Sequence, residues 1–159
     1  MAMRAEYVNA FLAPSVRVLQ KMARTRVEVG RVLRMEQGML DDSLSIIIGL
    51  HGRVSGSVVL AAQRSVAWAL ASRIAGEELG AECQSDVHAI LGELANTIVG
   101  NATGELYEIG VREGITPPTL VEGPHVSFNF GDGVESVKIP LETEAGPVDL
   151  IVSLTRETP

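Results

Sequence analysis

The apolar residues of this chain change period twice, and in the same order each time. From about Glu6 to Ala23, Val8, Phe11, Leu12, Val18, Leu19 and Met22 recur at helical spacing. Val27, Val29, Leu33 and Met35 then alternate with polar neighbours, as do Leu44, Ile46, Ile48 and Leu50, and Val58 with Leu60 closes a third strand beyond the Gly52 to Gly56 turn. A second and longer helical pattern is again followed by alternation: Thr119 to Glu122 leading to Val126, Phe128 and Phe130, then Val137, Ile139 and Leu141, then Val148, Leu150, Val152 and Leu154. Gly131-Asp132-Gly133 and Ala145-Gly146-Pro147 read as the turns between them. Short matches follow the same plan, VEVG (Val27 to Gly30) with LVEG (Leu120 to Gly123), and IIGLHGRVSGSVVL with KIPLETEAGPVDLIV. Strands alternating with amphipathic helices bury both apolar faces by laying the helices on a sheet. The expected fold is therefore α+β: a sandwich of a mostly antiparallel sheet with two long helices, built from a duplicated helix-plus-strands unit sharing one sheet.

Pro14 falls inside the first helical pattern, so that helix is either kinked there or begins its regular part there. A shorter helix is expected from Ser65 to about Ala75, with Ala67, Leu70 and Ile74 as its apolar side, ended by Gly76 to Gly80. The long helix is expected to start at Ser85 or Asp86 and to stop at Gly110. At 1.5 Å per residue it spans roughly 36 Å. The tail TRETP is expected to fray.

With 159 residues, 46% of them hydrophobic, the chain can bury one core comfortably, so a single domain over 1–159 is expected. A formal charge of -7 and a sequence pI near 4.9 argue against nucleic acid or an anionic membrane as the main partner. The lone Cys83 allows no internal disulfide and no cysteine-based zinc site. MAMRAEYVNAFLAP has acidic and amide residues where a signal peptide would be apolar, and the longest apolar runs, such as Ile46 to Leu50, fall far below the ~20 residues that cross a bilayer. A cytoplasmic location is expected by elimination.

On the long helix, Val87, Leu91, Leu94, Ala95, Ile98, Ala102, Leu106 and Ile109 gather within roughly 60° of one line, the expected buried stripe. From that line Glu93 falls at roughly 200° and Asn96 at roughly 140°, so both project away from the core, with Ala89, Gly100 and Thr103 beside them and Gly92 and Gly104 at the border. Each interior glycine costs about 1 kcal/mol relative to alanine. A smooth face bearing a carboxylate and a carboxamide suits the close approach of another protein's backbone. Spacing alone also fits ordinary solvated side chains on an outer helix face.

What separates those readings is Pro118, which follows Asn96 after 21 intervening residues to complete Glu-x2-Asn-x21-Pro. The chain here resembles the CheX, CheC and FliY chemotaxis phosphatases, whose signature is Asp or Ser, three residues, Glu, two residues, Asn, about 21 or 22 residues, then Pro. The opening EYVNAF, the GLHGRVSGSVVL hairpin, GELANTIVGNA and the closing IPLETEAGPVDLIVSL look like CheX in particular, so the resemblance covers nearly the whole chain. The first signature position departs from the pattern, being Ala89, which bears on a supporting polar contact more than on the Glu/Asn pair. Asp86, two helical turns before Glu93 and near the buried seam, is a poor substitute. Glu6 and Asn9 repeat the Glu-x2-Asn spacing, but Arg31 stands where the proline should be, leaving one copy of the motif, as in CheX-like members.

The resemblance implies hydrolysis of the aspartyl phosphate on a CheY-like response regulator. Such a regulator supplies its own Mg2+ and lysine, and this chain is expected to bind no cofactor. The site expected is Asn96 orienting the attacking water and Glu93 meeting the regulator's lysine. Ala89, Gly92, Gly100 and Thr103 would form the docking face, and Pro118 would shape the neighbouring strand. The resemblance also suggests a homodimer, for which an exposed strand edge offers a route. The alternative is a binding module for a phosphorylated regulator or flagellar switch component without catalysis; a third possibility is an assembly scaffold. His51, His88 and His125 are too scattered for a metal site or triad, Trp68 and the tyrosines fit packing, and no nucleotide-binding glycine pattern is present.

Overall fold

The computed structural model describes residues 3–35, 37–131 and 133–155, for 37–42 the backbone alone. The elements run α1 (Ala5–Met22), β1 (Val27–Val29), β2 (Leu33–Met35), β3 (Gln37–Gly52), β4 (Gly56–Gln63), α2 (Arg64–Ala75), a 3-10 turn at Ala81–Cys83, α3 (Gln84–Glu108), β5 (Glu113–Ile115), β6 (Thr119–Asn129), β7 (Val134–Thr143) and β8 (Gly146–Thr155).

The strands form one antiparallel sheet in the order β1-β7-β8-β4-β3-β5, with β2 also on β7 and β6 also on β3. This order reads the same from either side of the β8–β4 boundary. Each unit sends its leading strands to the other unit's hairpin: β1 and β2 pair with β7, and β5 and β6 with β3. At the boundary Val58 faces Val152 and Leu60 faces Leu150. Gly56 is required there, because a β-carbon would run into the carbonyl of Ser153.

Alternate residues of the strands, including Leu44, Ile46, Ile48, Leu60, Ile139, Leu141, Val148 and Leu150, are buried against Phe11, Leu19, Leu70, Leu94, Ile98 and Leu106 of the helices. The residues between them point to the opposite face, where Val59, Ala61 and Ile151 are buried under Met35, Ile47, Phe128 and Phe130. The strand alternation thus serves two apolar faces of unequal size.

α1 begins at Ala5 and continues through the buried Pro14, so its regular part does not start at the proline. Beside that missing N–H, the Ser15 hydroxyl donates to the Phe11 carbonyl at 2.5 Å. α3 starts at Gln84 behind the 3-10 turn, with Cys83 at the N-cap and no side-chain cap, so Ser85 lies inside the helix. Its end is a Schellman stop: Gly110 at φ 85 donates to Tyr107 at 3.0 Å, and Val111 donates to Leu106 at 2.9 Å, with both Val111 and Leu106 buried. Ile109, placed in the apolar stripe by periodicity, is 44% exposed because the helix ends one residue before it. The β7–β8 turn is Glu144–Ala145, with Thr143 facing Gly146. Thr155 is held in β8 through its N–H to the Ser55 carbonyl at 2.7 Å; the rest of TRETP, and Asp132, lie outside the described residues.

Candidate active site

Seven of the eight stripe residues of α3, from Val87 to Leu106, are buried as the periodicity requires, and Val99 joins them. That orientation turns Glu93 fully outward and leaves Asn96 half-buried beside it on the next turn. Neither side chain makes a hydrogen bond or ion pair among the described residues, so both heads are available to a partner. Ala89 and Gly100 are exposed, Gly92 and Thr103 half-buried, and Pro118 exposed. By helical spacing the six α3 residues lie along one side of the helix, with Pro118 beside them at Gly92; Thr103 donates to the Gly100 carbonyl at 2.7 Å. Asp86 is exposed, away from the buried seam.

Pro118 stands immediately before β6 and lies over α3 at Gly92, where a β-carbon would meet its Cγ at 3.8 Å. At Gly100 and Gly104 a β-carbon would meet nothing within 4 Å. The helix backbone is thus bare along this face. Polar side chains compensate its carbonyls: Thr97 donates to Glu93 at 2.8 Å and Asn101 to Thr97 at 2.7 Å.

The sequence reading missed the groove next to those glycines. About 450 Å³ of open space is lined by Arg17 of α1 with Gly100, Asn101, Gly104, Glu105 and Glu108 of α3, and Arg17 approaches Glu105 at 3.6 Å. The repeat Gly100, Gly104, Glu108 at every fourth position was its only signal in the sequence.

Also missed was a polar cluster at the N-terminal end of α3. Glu122 of β6 pairs with Arg64 of α2, accepts from Gln84 Nε2 at 3.3 Å, and lies 3.6 Å from His88 Nε2. The Arg64 guanidinium covers the Trp68 ring at 4.3 Å, and Trp68 meets His88 edge-on. His51 and His125 lie apart on β3 and β6, and the described residues hold no group of three metal-ligating side chains.

The arrangement offers a bare helix carrying an acceptor carboxylate and a neutral amide that can both donate and accept, with no group of three metal-ligating side chains among the described residues. Such a face can place a group in another molecule's reaction by contact and hydrogen bonding.

The CheX family, described as chemotaxis phosphatase CheX, matches residues 44–142, a span that includes Glu93, Asn96 and Pro118. The CheY-P phosphatase CheX of Thermotoga maritima is 25% identical over 130 residues, 81% of this chain and 84% of that protein. Among solved structures, the CheX-CheY-BeF3-Mg+2 complex from Borrelia burgdorferi gives a TM-score of 0.82 at 26% identity, covering 96% of this chain and 100% of that one. The chemotaxis protein CheX from Desulfovibrio desulfuricans shares the fold, with a TM-score of 0.84 at 22% identity over 94% of this chain and 99% of its own. Matched over more than half its length, through the helix that carries the outward pair, the chain belongs to the CheX family of chemotaxis phosphatases.

Proposed function

We propose that this chain accelerates hydrolysis of the aspartyl phosphate of a CheY-like response regulator, acting as one CheX-like domain in chemotaxis or another two-component pathway. The observation that carries the reading is the outward, unpartnered pair of Glu93 and Asn96 on the glycine-lined face of α3, beside Pro118, in a chain of this family.

An acyl phosphate is already reactive, and its Mg2+ is held by the regulator, so the helper need only hold water in line with the leaving oxygen. Asn96 does this: its carboxamide oxygen accepts a hydrogen bond from the water and leaves the water's lone pair aimed at phosphorus, with no change of charge. Glu93 meets the regulator's active-site lysine, a charge-assisted contact that sets how deeply the helix enters. Ala89, Gly92, Gly100 and Thr103 form the surface that slides in, and Pro118 braces α3 at Gly92. The setting is cytoplasmic, and the chain works as a homodimer joined through a free sheet edge.

The test is the lifetime of the phosphorylated state across a small panel of CheY-like regulators, with and without this chain. Shortening for at least one regulator is expected. A second reading, a binding module without catalysis, draws on Ala89, which supplies no polar group at the first signature position. It predicts capture of the phosphorylated regulator with an unchanged or lengthened lifetime.

A further inference from the structure

The cluster around Glu122 joins three elements at the corner where the site is assembled. α3 presents Gln84, His88 and Gly92 at successive fourth positions, which is one line along the helix. Across from that line run Glu122, met by Gln84 and His88, and Pro118, met at Gly92. α2 closes the corner with Arg64 on the Glu122 carboxylate, the guanidinium seated on Trp68, whose indole N–H is fixed on the Gly80 carbonyl at 3.0 Å. Glu122 Oε1 and His88 Nε2 are both shut off from solvent and make no hydrogen bond, so Arg64, Glu122 and His88 are held by charge proximity, with the arginine side chain 43% exposed.

We propose that Glu122 and His88 are positioning residues for the phosphatase reaction: through the Arg64–Glu122–His88 clamp they fix α3 against β6 and the Pro118 that leads into it, and so set where Glu93 and Asn96 stand. The inference rests on the function proposed above. The apolar stripe of α3 holds the helix on the core without fixing its position along the sheet; a half-buried carboxylate held between Arg64, Gln84 and His88 on one flank adds that restraint. The clamp touches neither regulator nor water. It acts one helical turn from Glu93, near Ala89, where this chain lacks the polar residue of the family signature.

The experiment pairs two readouts on the full chain. In the first, NMR spectra of the chain alone compare wild type with Glu122→Gln and His88→Gln. The Gly92 backbone amide and the Asn96 side-chain amide should move, while Leu106 and Val111 at the far end of α3 stay in place. In the second, both variants are assayed with the regulator whose phosphate lifetime the wild type shortens most. Each should lower kcat about tenfold with KM within about twofold, and the double variant should fall no further than the worse single, because both break one clamp. Arg64→Lys, which keeps the charge on Glu122, should retain most of the turnover. Stationary Gly92 and Asn96 resonances, an undiminished kcat, or a loss of kcat that follows a lowered melting midpoint would each overturn the clamp. A wild type that shortens no regulator's phosphate lifetime overturns the proposed function instead, and the resonances alone then decide whether the clamp places Asn96.

Discussion

Pro118 rests over Gly92 with enough room for a β-carbon, which would lie 3.8 Å from the proline Cγ. The proline therefore does not force glycine at that position, and Gly100 and Gly104 face open space. Within the free chain alanine would fit all three sites and strengthen the helix. The proposed docking of a regulator against α3 gives glycine a role at these positions that the free chain does not.

Gly100→Ala is accordingly expected to stabilise the protein by about 1 kcal/mol, or about 2–4 °C in melting midpoint for a chain of this size. The same change should raise KM for the phosphorylated regulator. Thermal melts and steady-state kinetics on one preparation check both halves, and a stabilised variant with unaltered KM would remove the docking role of this face.

Glu93→Gln and Asn96→Ala should separate kinetically. Loss of the amide that holds water is expected to lower kcat near a hundredfold, about 2–3 kcal/mol in the barrier, with little effect on KM. Loss of the carboxylate should mainly raise KM, about tenfold, by removing one charge-assisted contact. Phosphate release at saturating regulator distinguishes them; full turnover by Asn96→Ala would end the proposed chemistry.

Ala89→Asp restores the first signature position on an exposed site in the second turn of α3. Turnover is expected to rise several-fold, at a helix-propensity cost below about 1 kcal/mol. Single-turnover dephosphorylation measures it, and equal rates for the two proteins would mean that Ala89 costs the wild type nothing.

Asp149 of β8 lies on the sheet face opposite the larger core, and burial holds its carboxyl above the usual aspartate range despite the opposing field of Lys138. A raised folded-state pKa means that the ionised form opposes folding at neutral pH. That penalty fades as pH falls through the raised value toward the ordinary one. Asp149→Asn should therefore melt higher than wild type at pH 7, with the difference shrinking on acidification. Melting curves between pH 4 and 7 test the sign.

Much of this was legible because the signals were local. Gly110 marked the end of α3, the period of 3.6 placed Val87 to Leu106 inside and Glu93 outside, and the doubled order of elements foretold the mirrored sheet. What escaped depended on partners distant in sequence. Gln37 to Asp42 has no apolar alternation and becomes strand only by pairing with β6, and β5 exists because Leu50 to Gly52 needs a neighbour. The N-terminus of α3 was misplaced because Ser85 is a good cap by type, yet the 3-10 turn before it carries the chain into the helix earlier. The corner around Glu122 was invisible since its members come from positions 64, 84, 88 and 122.

The exchange of first strands between units has a bearing on how the molecule comes into being. β8, the last strand in chain order, is not laid on an edge; it slots between β7 and β4 at the centre of the sheet. A nascent polypeptide lacking those ten residues has two separated half-sheets with their inner borders unpaired, so the interior closes only after synthesis has passed Thr155. Likewise, a nick between α2 and α3 would leave two fragments, each missing a strand that the other holds.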